Sequence, residues 1–298
     1  MELRQLKYFY MTAEKKSFSE AARVLYISQS TLSQQIKQLE DELGCPLFKR
    51  DSHKVILTEC GERLVPLAKN TLYDADQCKS QLSEIKNMMT GALNIGVTNT
   101  FCNIFSHTMK EFLVAYKGIK LNVFYGSTCT LIDLLRKHEI DFALAYKSGQ
   151  YEDEVDSYEL FRTELCVIAR NDHPLCQNKA LTLKDIAQYP VALPAKTVQG
   201  RKTIDKALKE TGIKLRVRIE LNEVNFLLEL IEDSKLITIL PYSTIERHKS
   251  LKAIPLDIPN KEFQGCVHIL KDTYRKQSAQ VFVQMLKESP IVRLLKDN

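Results

Sequence analysis

SFSEAARVLYISQSTLSQQIKQLEDELG, residues 17–44, carries the strongest structural pattern of the chain. Ser17 and Glu20 have the spacing of a capping box, in which Ser17 caps a short helix and Glu20 reaches back to it. Ser28 is a good N-cap for a second helix, which closes at Gly44. The apolar stripe of this second helix is formed by Leu32, Ile36, Leu39 and Leu43. The pattern therefore predicts two helices joined by a tight turn.

The second helix carries no acidic residue before Glu40. Hydrogen-bond donors and acceptors crowd its N-terminal half instead: Ser28, Gln29, Ser30, Thr31, Ser33, Gln34 and Lys37. A helix that reads base edges in a major groove needs such a face. A solvated surface has the same composition, so the helix alone leaves both interpretations open.

The segments on either side extend this pattern. An amphipathic helix over residues 2–15 is predicted by the spacing of Leu3, Leu6, Phe9 and Ala13. Residues 46–58 resemble two short strands around a basic tip, whose cations are Lys49, Arg50, His53 and Lys54. Such a tip can hold phosphates or enter a minor groove, although a basic turn is usually only exposed. The net charge of +5 is too small to identify a nucleic-acid partner.

A long helix is predicted from Thr58 to about Met89, with a kink or a late start at Pro66. Its apolar positions alternate spacings of three and four, as in the seam of a two-helix coiled coil: Ala68, Thr71, Ala75, Cys78, Leu82, Ile85 and Met89. We interpret it as a dimerisation helix. The alternative is that it packs along the chain's own C-terminal domain.

The C-terminal two hundred residues alternate strands and helices. Strands are expected at 91–97, 119–125, 141–145, 165–169, 191–193, 216–221 and 237–240, and helices at 104–116, 130–137, 183–187, 203–211 and 225–231. Residues 266–270 and a helix over 278–286 are expected to return to the first subdomain. This order predicts a doubly wound α/β architecture, with ligands at the carboxyl ends of the strands.

Several classes of protein are disfavoured by the composition. No apolar run is long enough for a membrane span, and the first ten residues are too charged for an export signal, so we expect a cytoplasmic protein. The eight cysteines show no metal-binding spacing and are expected to be reduced and packed, with no metal and no cofactor. No nucleophile elbow, phosphate loop or dinucleotide signature occurs, so an enzyme is disfavoured.

The first sixty residues resemble the LysR-type transcriptional regulators. The resemblance lies in residues 3–9, 17–22 and 28–33, and in Ile36, Leu39-Glu40, Leu43-Gly44, Leu47-Phe48, Arg50 and Leu57-Thr58-Glu59 with Gly61. It implies a winged helix-turn-helix in which residues 28–38 read the groove and residues 50–54 form the wing. Ser30 stands where family members usually have proline, and His53 where they often have arginine.

The remainder resembles the effector-binding region of the same family, which is built from two lobes with two crossovers, like a periplasmic solute-binding protein. The matching positions are Gly91, Leu93, Ile95-Gly96, Asp141, Ala143, His173-Pro174-Leu175, Leu183, Asp185, Ile239 and Pro241. The implied domains are residues 1–58 for DNA binding, 59–90 for the linker helix and 91–298 for effector binding. The two lobes would be 91–161 with 267–298, and 162–266. Residues 234–237 depart from the family's glycine-containing turn.

By position, the resemblance implies an effector cleft lined by Thr98, Asn99, Thr100, Ser127, Thr128, Tyr146, Val198, Gln199 and Gly200. These hydroxyl and amide groups suit a small polar or anionic metabolite, and Lys147, Lys196 and Arg201 lie near enough to add charge. The implied partners are an inverted-repeat DNA site, a second copy of the chain in a homodimer or homotetramer, and RNA polymerase.

A thiol redox sensor is the nearest alternative mechanism. Some relatives respond through a cysteine pair in the second lobe, but residues 195–210 of this chain contain no cysteine. Cys166 and Cys176 remain as candidates, although packing is the commoner role for such residues.

Overall fold

The computed structural model describes residues 1–50, 55–85, 90–148, 153–246 and 248–297. It forms two compact units, Met1–Met88 and Met89–Asn298. In the described ranges no helix combines the length and the apolar character that crossing a bilayer requires.

The first unit is a winged helix-turn-helix followed by a long helix. Its elements are α1 (Leu3–Lys15), α2 (Phe18–Val24), α3 (Gln29–Leu43), β1 (Phe48–Arg50), β2 (Val55–Leu57) and α4 (Glu59–Ile85). The strands β1 and β2 pair antiparallel, as the wing pattern predicted. One core is formed by the apolar faces of α1, α2 and α3 with Leu47 and Phe48.

The helix ends of this unit are largely those the sequence predicted. The Ser28 hydroxyl accepts a hydrogen bond from the Thr31 N–H at 3.1 Å, and Ser17 accepts from the Glu20 N–H at 3.3 Å. The predicted capping box at Ser17 is wrong in its second half, because the Glu20 carboxylate instead pairs with Arg23 at 2.8 Å. α3 ends at Gly44, whose φ of 68° is the left-handed conformation that favours glycine.

The long helix α4 begins directly against the wing. Thr58 Oγ1 donates to the Pro46 carbonyl at 2.6 Å and accepts from the Gly61 N–H at 3.1 Å. A Cβ on Gly61 would lie 2.2 Å from the Leu47 carbonyl oxygen, so only glycine fits there. The helix runs through Pro66, which makes the predicted late start wrong.

One member of the predicted α4 seam does not lie on a free face of the helix. Ala68 is buried in the helix-turn-helix core and cannot face a partner. Thr71, Cys78 and Leu82 are exposed, with 63% of the Leu82 surface open to solvent. The seam member Met89 and the side chain of Ile85 lie outside what the structure describes.

The first lobe of the second unit contains a parallel sheet. Its first elements are β3 (Gly91–Val97), α5 (Cys102–Ala115), β4 (Ile119–Tyr125), α6 (Thr128–Arg136) and β5 (Phe142–Tyr146). β3 lies between β4 and β5, with parallel pairing on both sides. The C-terminal helices α10 (Gln277–Glu288) and α11 (Pro290–Asp297) return here, as expected, and Phe282 packs against the rings of Phe105, Phe112 and Phe142.

The second lobe is built from the middle of the chain. Its elements are the C-terminal half of β6 (Val155–Arg170), α7 (Leu183–Ala187), β7 (Pro190–Pro194), α8 (Gln199–Thr211), β8 (Arg216–Leu221), α9 (Val224–Glu232), β9 (Thr238–Pro241) and β10 (Leu251–Pro255). α8 begins four residues before its predicted start at 203, which places Gln199 in its first turn. Before β9, the Ser234 hydroxyl accepts from the Leu236 N–H at 3.2 Å and closes the turn that departs from the family pattern.

Two strands cross between the lobes. β6 is 16 residues long, whereas the sequence predicted a strand only over 165–169. Its N-terminal part pairs with β11 (Glu262–Leu270), and its C-terminal part pairs with β9 and β10. The implied lobe boundaries at 161/162 and 266/267 fall inside these strands. A bulge in β6 lies at Leu160, because Gly265 and Cys266 of β11 pair with Phe161 and Glu159.

We predict that Gly265→Ala destabilises the second unit. An added Cβ would lie 2.4 Å from the Phe161 ring, which is buried and packed against the Phe101 ring at 5.4 Å between centroids, so it has little room to move. Overpacking of this kind costs about 1–3 kcal/mol. Thermal unfolding should show a lower Tm. The control Gly200→Ala should lower Tm much less, because its nearest contact, a Leu165 methyl, lies at 3.2 Å and alanine favours the helix more than glycine does. Equal Tm values for the two variants would contradict close packing at the crossover.

Candidate functional site

The polar face of α3 is exposed as a whole. Leu32, Ile36 and Leu39 are at most 2% exposed and point into the core. The predicted reading residues all lie on the solvent side: Ser28, Gln29, Ser30, Thr31, Ser33, Gln34 and Lys37. The structure therefore gathers them on one surface without an acidic side chain among them.

Hydrogen bonds organise the first turn of this surface. Ser28 Oγ lies 2.8 Å from both Ser30 Oγ and Thr31 Oγ1. Ser19, at the start of α2, donates to Gln29 Oε1 at 2.9 Å, a contact that the sequence pattern did not indicate. Gln29 is thus oriented before any ligand arrives, and the first turns of α2 and α3 lie side by side.

The wing is described only at its base. Phe48 pairs with Leu57, and Arg50 pairs with Val55 at the open end of the ladder. The predicted contact residues His53 and Lys54 lie outside the described residues, and Arg50 is described only through its backbone. Lys49 is exposed on β1.

A cavity of about 360 Å³ lies between the two lobes of the second unit. Eight of the nine predicted effector residues line it: Thr98, Asn99, Thr100, Ser127, Thr128, Tyr146, Val198 and Gln199. The ninth, Gly200, is buried in the first turn of α8 and does not line the cavity. Most of them follow the carboxyl ends of β3, β4, β5 and β7, where an α/β sheet places its ligands.

Sequence reasoning missed six lining residues: Tyr125, Gly126, Thr130, Thr197, Asn222 and Val224. Asn222 follows the end of β8, so the rule that ligands bind at the carboxyl ends of strands could have found it. Tyr125 is the last residue of β4 rather than the first after it, and no pattern distinguished it.

Among the residues that the structure describes, no charged side chain lines this cavity. The expectation that Arg201 adds charge is wrong, because its guanidinium lies 2.7 Å from Asp205, from Glu220 and from the Pro194 carbonyl oxygen. Burial raises the pKa of the Tyr125 phenol to about 12 and that of Tyr146 still further. Both phenols therefore stay neutral at ordinary pH.

Side chains join the lobes across the cavity. Gln199 Nε2 donates to the Lys147 carbonyl at 2.7 Å, and Asn99 Nδ2 donates to the Asn222 carbonyl at 3.3 Å. At the cavity wall, Tyr146 Oη lies 3.0 Å from Ser243 Oγ. The amides that would meet a ligand are thus the same groups that hold the lobes together.

The cysteines form no metal site within the described ranges, where no group of three or more possible ligands occurs. Cys166, Cys176 and Cys266 are buried, and burial raises the pKa of Cys166 to about 12 and that of Cys266 to about 11. The expectation of packed cysteines is wrong for Cys60, Cys78 and Cys129, which are exposed.

Comparisons with known proteins place both units in one family. The family model described as "LysR substrate binding domain" matches residues 86–290. The model described as "Bacterial regulatory helix-turn-helix protein, lysR family" matches residues 3–62. The uncharacterized regulator YwqM of Bacillus subtilis is 31% identical over 216 residues, 72% of this chain and 73% of that protein. The regulator CysB of Haemophilus influenzae is 28% identical over 72% of this chain and 67% of its own length.

Solved structures agree on the fold. Full-length OxyR from Pseudomonas aeruginosa superposes with a TM-score of 0.74 at 23% identity, over 98% of this chain and all of that one. The structure of CbnR in complex with its target DNA superposes with a TM-score of 0.63 at 19% identity. The superposition covers 97% of this chain and 99% of CbnR. The substrate-binding model covers residues 86–290, and the helix-turn-helix model covers residues 3–62. The chain therefore belongs to the LysR family of DNA-binding transcriptional regulators.

Proposed function

We propose that this regulator binds an inverted-repeat promoter site as a homodimer or homotetramer, and that a small polar or anionic metabolite in the interlobe cavity sets its activity. The observation that carries the proposal is the neutral cavity, in which hydroxyls, amides and helix N-termini from both lobes converge. A catalytic role is not part of the proposal, because the described lining contains no histidine, carboxylate or amine that could activate its hydroxyls as nucleophiles.

The DNA contacts are assigned to the surface of α3 and to the wing. Ser28, Gln29, Ser30 and Thr31 occupy the first turn, and Ser33, Gln34 and Lys37 follow on the same exposed face. Side chains of this kind donate to and accept from base edges without the repulsion that an acid would bring. Arg50, His53 and Lys54 of the wing are proposed to hold phosphates or reach the minor groove.

The exposed positions on α4 support a second copy as partner. A helix of 27 residues is about 40 Å long, and Leu82 projects a large apolar side chain from its later turns. Two such helices side by side would bury these positions and set two α3 helices on successive major grooves.

Free backbone donors support the ligand class. Val198 at the start of α8 supplies no side-chain cap, and neither does Thr98 at the short helical turn after β3. The N–H groups of Arg201 and Phe101 already donate to the Val198 and Thr98 carbonyls, whereas the two N–H groups before each of them are open to a ligand. The positive end of α8 favours an anionic or polar group there. A volume of about 360 Å³ suits a small metabolite.

Ligand binding would act by shifting the balance between lobe arrangements. Gln199 and Asn99 already donate across the cavity, so a ligand that takes these donors replaces lobe-to-lobe hydrogen bonds with its own. The altered lobe angle would change the spacing of the reading helices at the promoter. The proposal also includes a cytoplasmic location and a contact with RNA polymerase, both as its family membership suggests.

Purified protein and the DNA upstream of its own gene test the proposal directly. Binding should be tighter than to a random fragment of equal length and should weaken steeply with salt, because phosphate contacts release counterions. Equal affinity for both fragments at every salt concentration, with and without cell metabolites, would refute it.

We predict that Ser33→Ala and Gln34→Ala each weaken binding to the upstream DNA. Loss of a base-edge contact costs about 1–3 kcal/mol, which is roughly 5- to 150-fold in affinity. Fluorescence anisotropy measures this change, and an unchanged Tm shows that the fold is intact. The control Gln280→Ala, an exposed position in the second unit, should bind normally. Wild-type affinity in both α3 variants would remove these residues from the reading surface.

We predict that Leu82→Asp dissociates the oligomer, because it places a charge on the proposed α4 seam. Light scattering after size exclusion should show a smaller species than for the wild type. Asn70→Asp adds the same charge to an exposed position of α4 away from the seam and should leave the mass unchanged. Equal masses for both variants would assign Leu82 to another role.

We predict that Thr128→Val and Gln199→Ala abolish the thermal stabilisation that a cavity ligand confers. The probes are sulfate, phosphate and a panel of small carboxylates, each tested by its shift of Tm. Lys196→Ala alters an exposed residue beside the cavity that does not line it, and it should keep the full shift. A probe that stabilises all three variants equally binds elsewhere.

A further inference from the structure

One exposed aromatic residue lies in the turn that leads into α3. Tyr26 has 95% of its surface open to solvent, and its backbone φ is 56°. A bulky L-residue is strained in this left-handed conformation, which glycine or asparagine adopts readily. Because the ring is exposed to water, it also contributes no hydrophobic stabilisation to the folded protein. The chain therefore keeps an unfavourable residue at a position where glycine would be easier.

Hydrogen bonds within the chain fix the conformation of this turn, but they do not explain why a tyrosine occupies it. The Tyr26 N–H donates to the Arg23 carbonyl at 3.3 Å, a bond that any residue other than proline can make. The neighbouring Ile27 N–H donates to the Ala22 carbonyl at 3.1 Å and fixes the course of the turn. Across the part of the chain that the structure describes, the Tyr26 phenol and ring have no hydrogen bond and no ring contact.

The position of the residue indicates its partner. Tyr26 lies two residues before Ser28, the cap of the helix that reads the groove. The bond between Ser19 and Gln29 brings the first turn of α2 beside that of α3 on the same exposed surface. Base edges on the groove floor are reached by the helix itself, whereas the turn before the helix lies nearer to the groove wall, where the phosphates are.

We infer that Tyr26 contacts the sugar–phosphate backbone of bound DNA, its O–H donating to a phosphate oxygen and its ring packing on a deoxyribose. Strained residues persist where the surrounding structure holds them in place, and they concentrate at functional sites. In this case the offsetting energy arises in the complex. The inference rests on DNA binding, and it goes beyond the helix and wing contacts assigned above.

Three consequences distinguish this contact from others. A backbone contact lowers affinity for every DNA sequence alike when it is lost, because phosphates carry no sequence information. A neutral phenol displaces no counterion, so the dependence of affinity on salt stays the same. Relief of the strained φ raises the stability of the free protein. For no other proposed DNA-contact residue do we expect all three effects together.

The test uses the full chain with Tyr26→Gly and Tyr26→Phe, each measured by thermal unfolding and by anisotropy on the upstream and random fragments. Tyr26→Gly should raise Tm by roughly 2–4 °C and lower affinity about tenfold on both fragments. Tyr26→Phe should leave Tm unchanged and lower affinity roughly three- to tenfold, as expected for one lost hydrogen bond. The salt slope should match the wild type in both variants.

Two control variants separate strain from contact. Asp272→Gly relieves the same conformation, φ 56°, at an exposed position of the second unit, and it should leave DNA affinity unchanged. Arg50→Ala removes a cation that the proposed function assigns to a phosphate and should reduce the salt slope by about one.

Affinity of Tyr26→Gly within twofold of wild type on both fragments would overturn the contact. A lower Tm for that variant would overturn the claim that strain is uncompensated in the free protein, and a loss confined to the upstream fragment would overturn the assignment to the backbone. A wild-type protein that does not distinguish the two fragments refutes the proposed function instead, so the two failures are distinct.

Discussion

Burial of one apolar stripe on α3 fixes the orientation on which the proposed DNA reading depends. Leu32 and Leu39 are fully enclosed and Ile36 almost so, packed in one core with Leu6 and Phe9 of α1. Because a helix rotates as a rigid body, burying this stripe turns every polar residue of its first turns outward at once. The exposed face is thus a consequence of core packing, and the DNA contacts that we propose for it require no separate structural element.

In the second unit, too, the fold itself positions the polar residues. Parallel strands end at one edge of the sheet, and the residues that follow β3, β4 and β7 begin helical segments there. The crossovers β6 and β11 hold the two lobes so that these edges face each other across one cavity. Since Arg201 is held by two carboxylates, the described groups that the cavity offers to a ligand are hydroxyls, amides and backbone N–H groups. A site of this kind selects by geometry and dipole direction more than by net charge.

How far the sequence predicts the structure depends on the range of the interactions. Local rules found the Ser28 cap, the Gly44 terminus and the alternation of strands and helices, because each depends on residues a few positions apart. The single long strand β6 escaped them, since Val155–Glu164 is a strand only through pairing with β11 about a hundred residues later. The burial of Ala68 in the N-terminal core and the binding of Arg201 by Glu220 were missed for the same reason. In the cavity, family resemblance and the order of the strands were enough to predict lining residues that follow a strand end. Tyr125, the last residue of β4, could be identified only from the structure.

The central claim is that paired α3 helices read two half-sites of one promoter. Hydroxyl-radical footprinting of the full-length protein on the DNA upstream of its gene tests it most directly. The account predicts two protected segments related by an inverted repeat, with centres about 10 base pairs apart, one helical turn. A single protected segment, or protection that spreads evenly along the fragment, would contradict it.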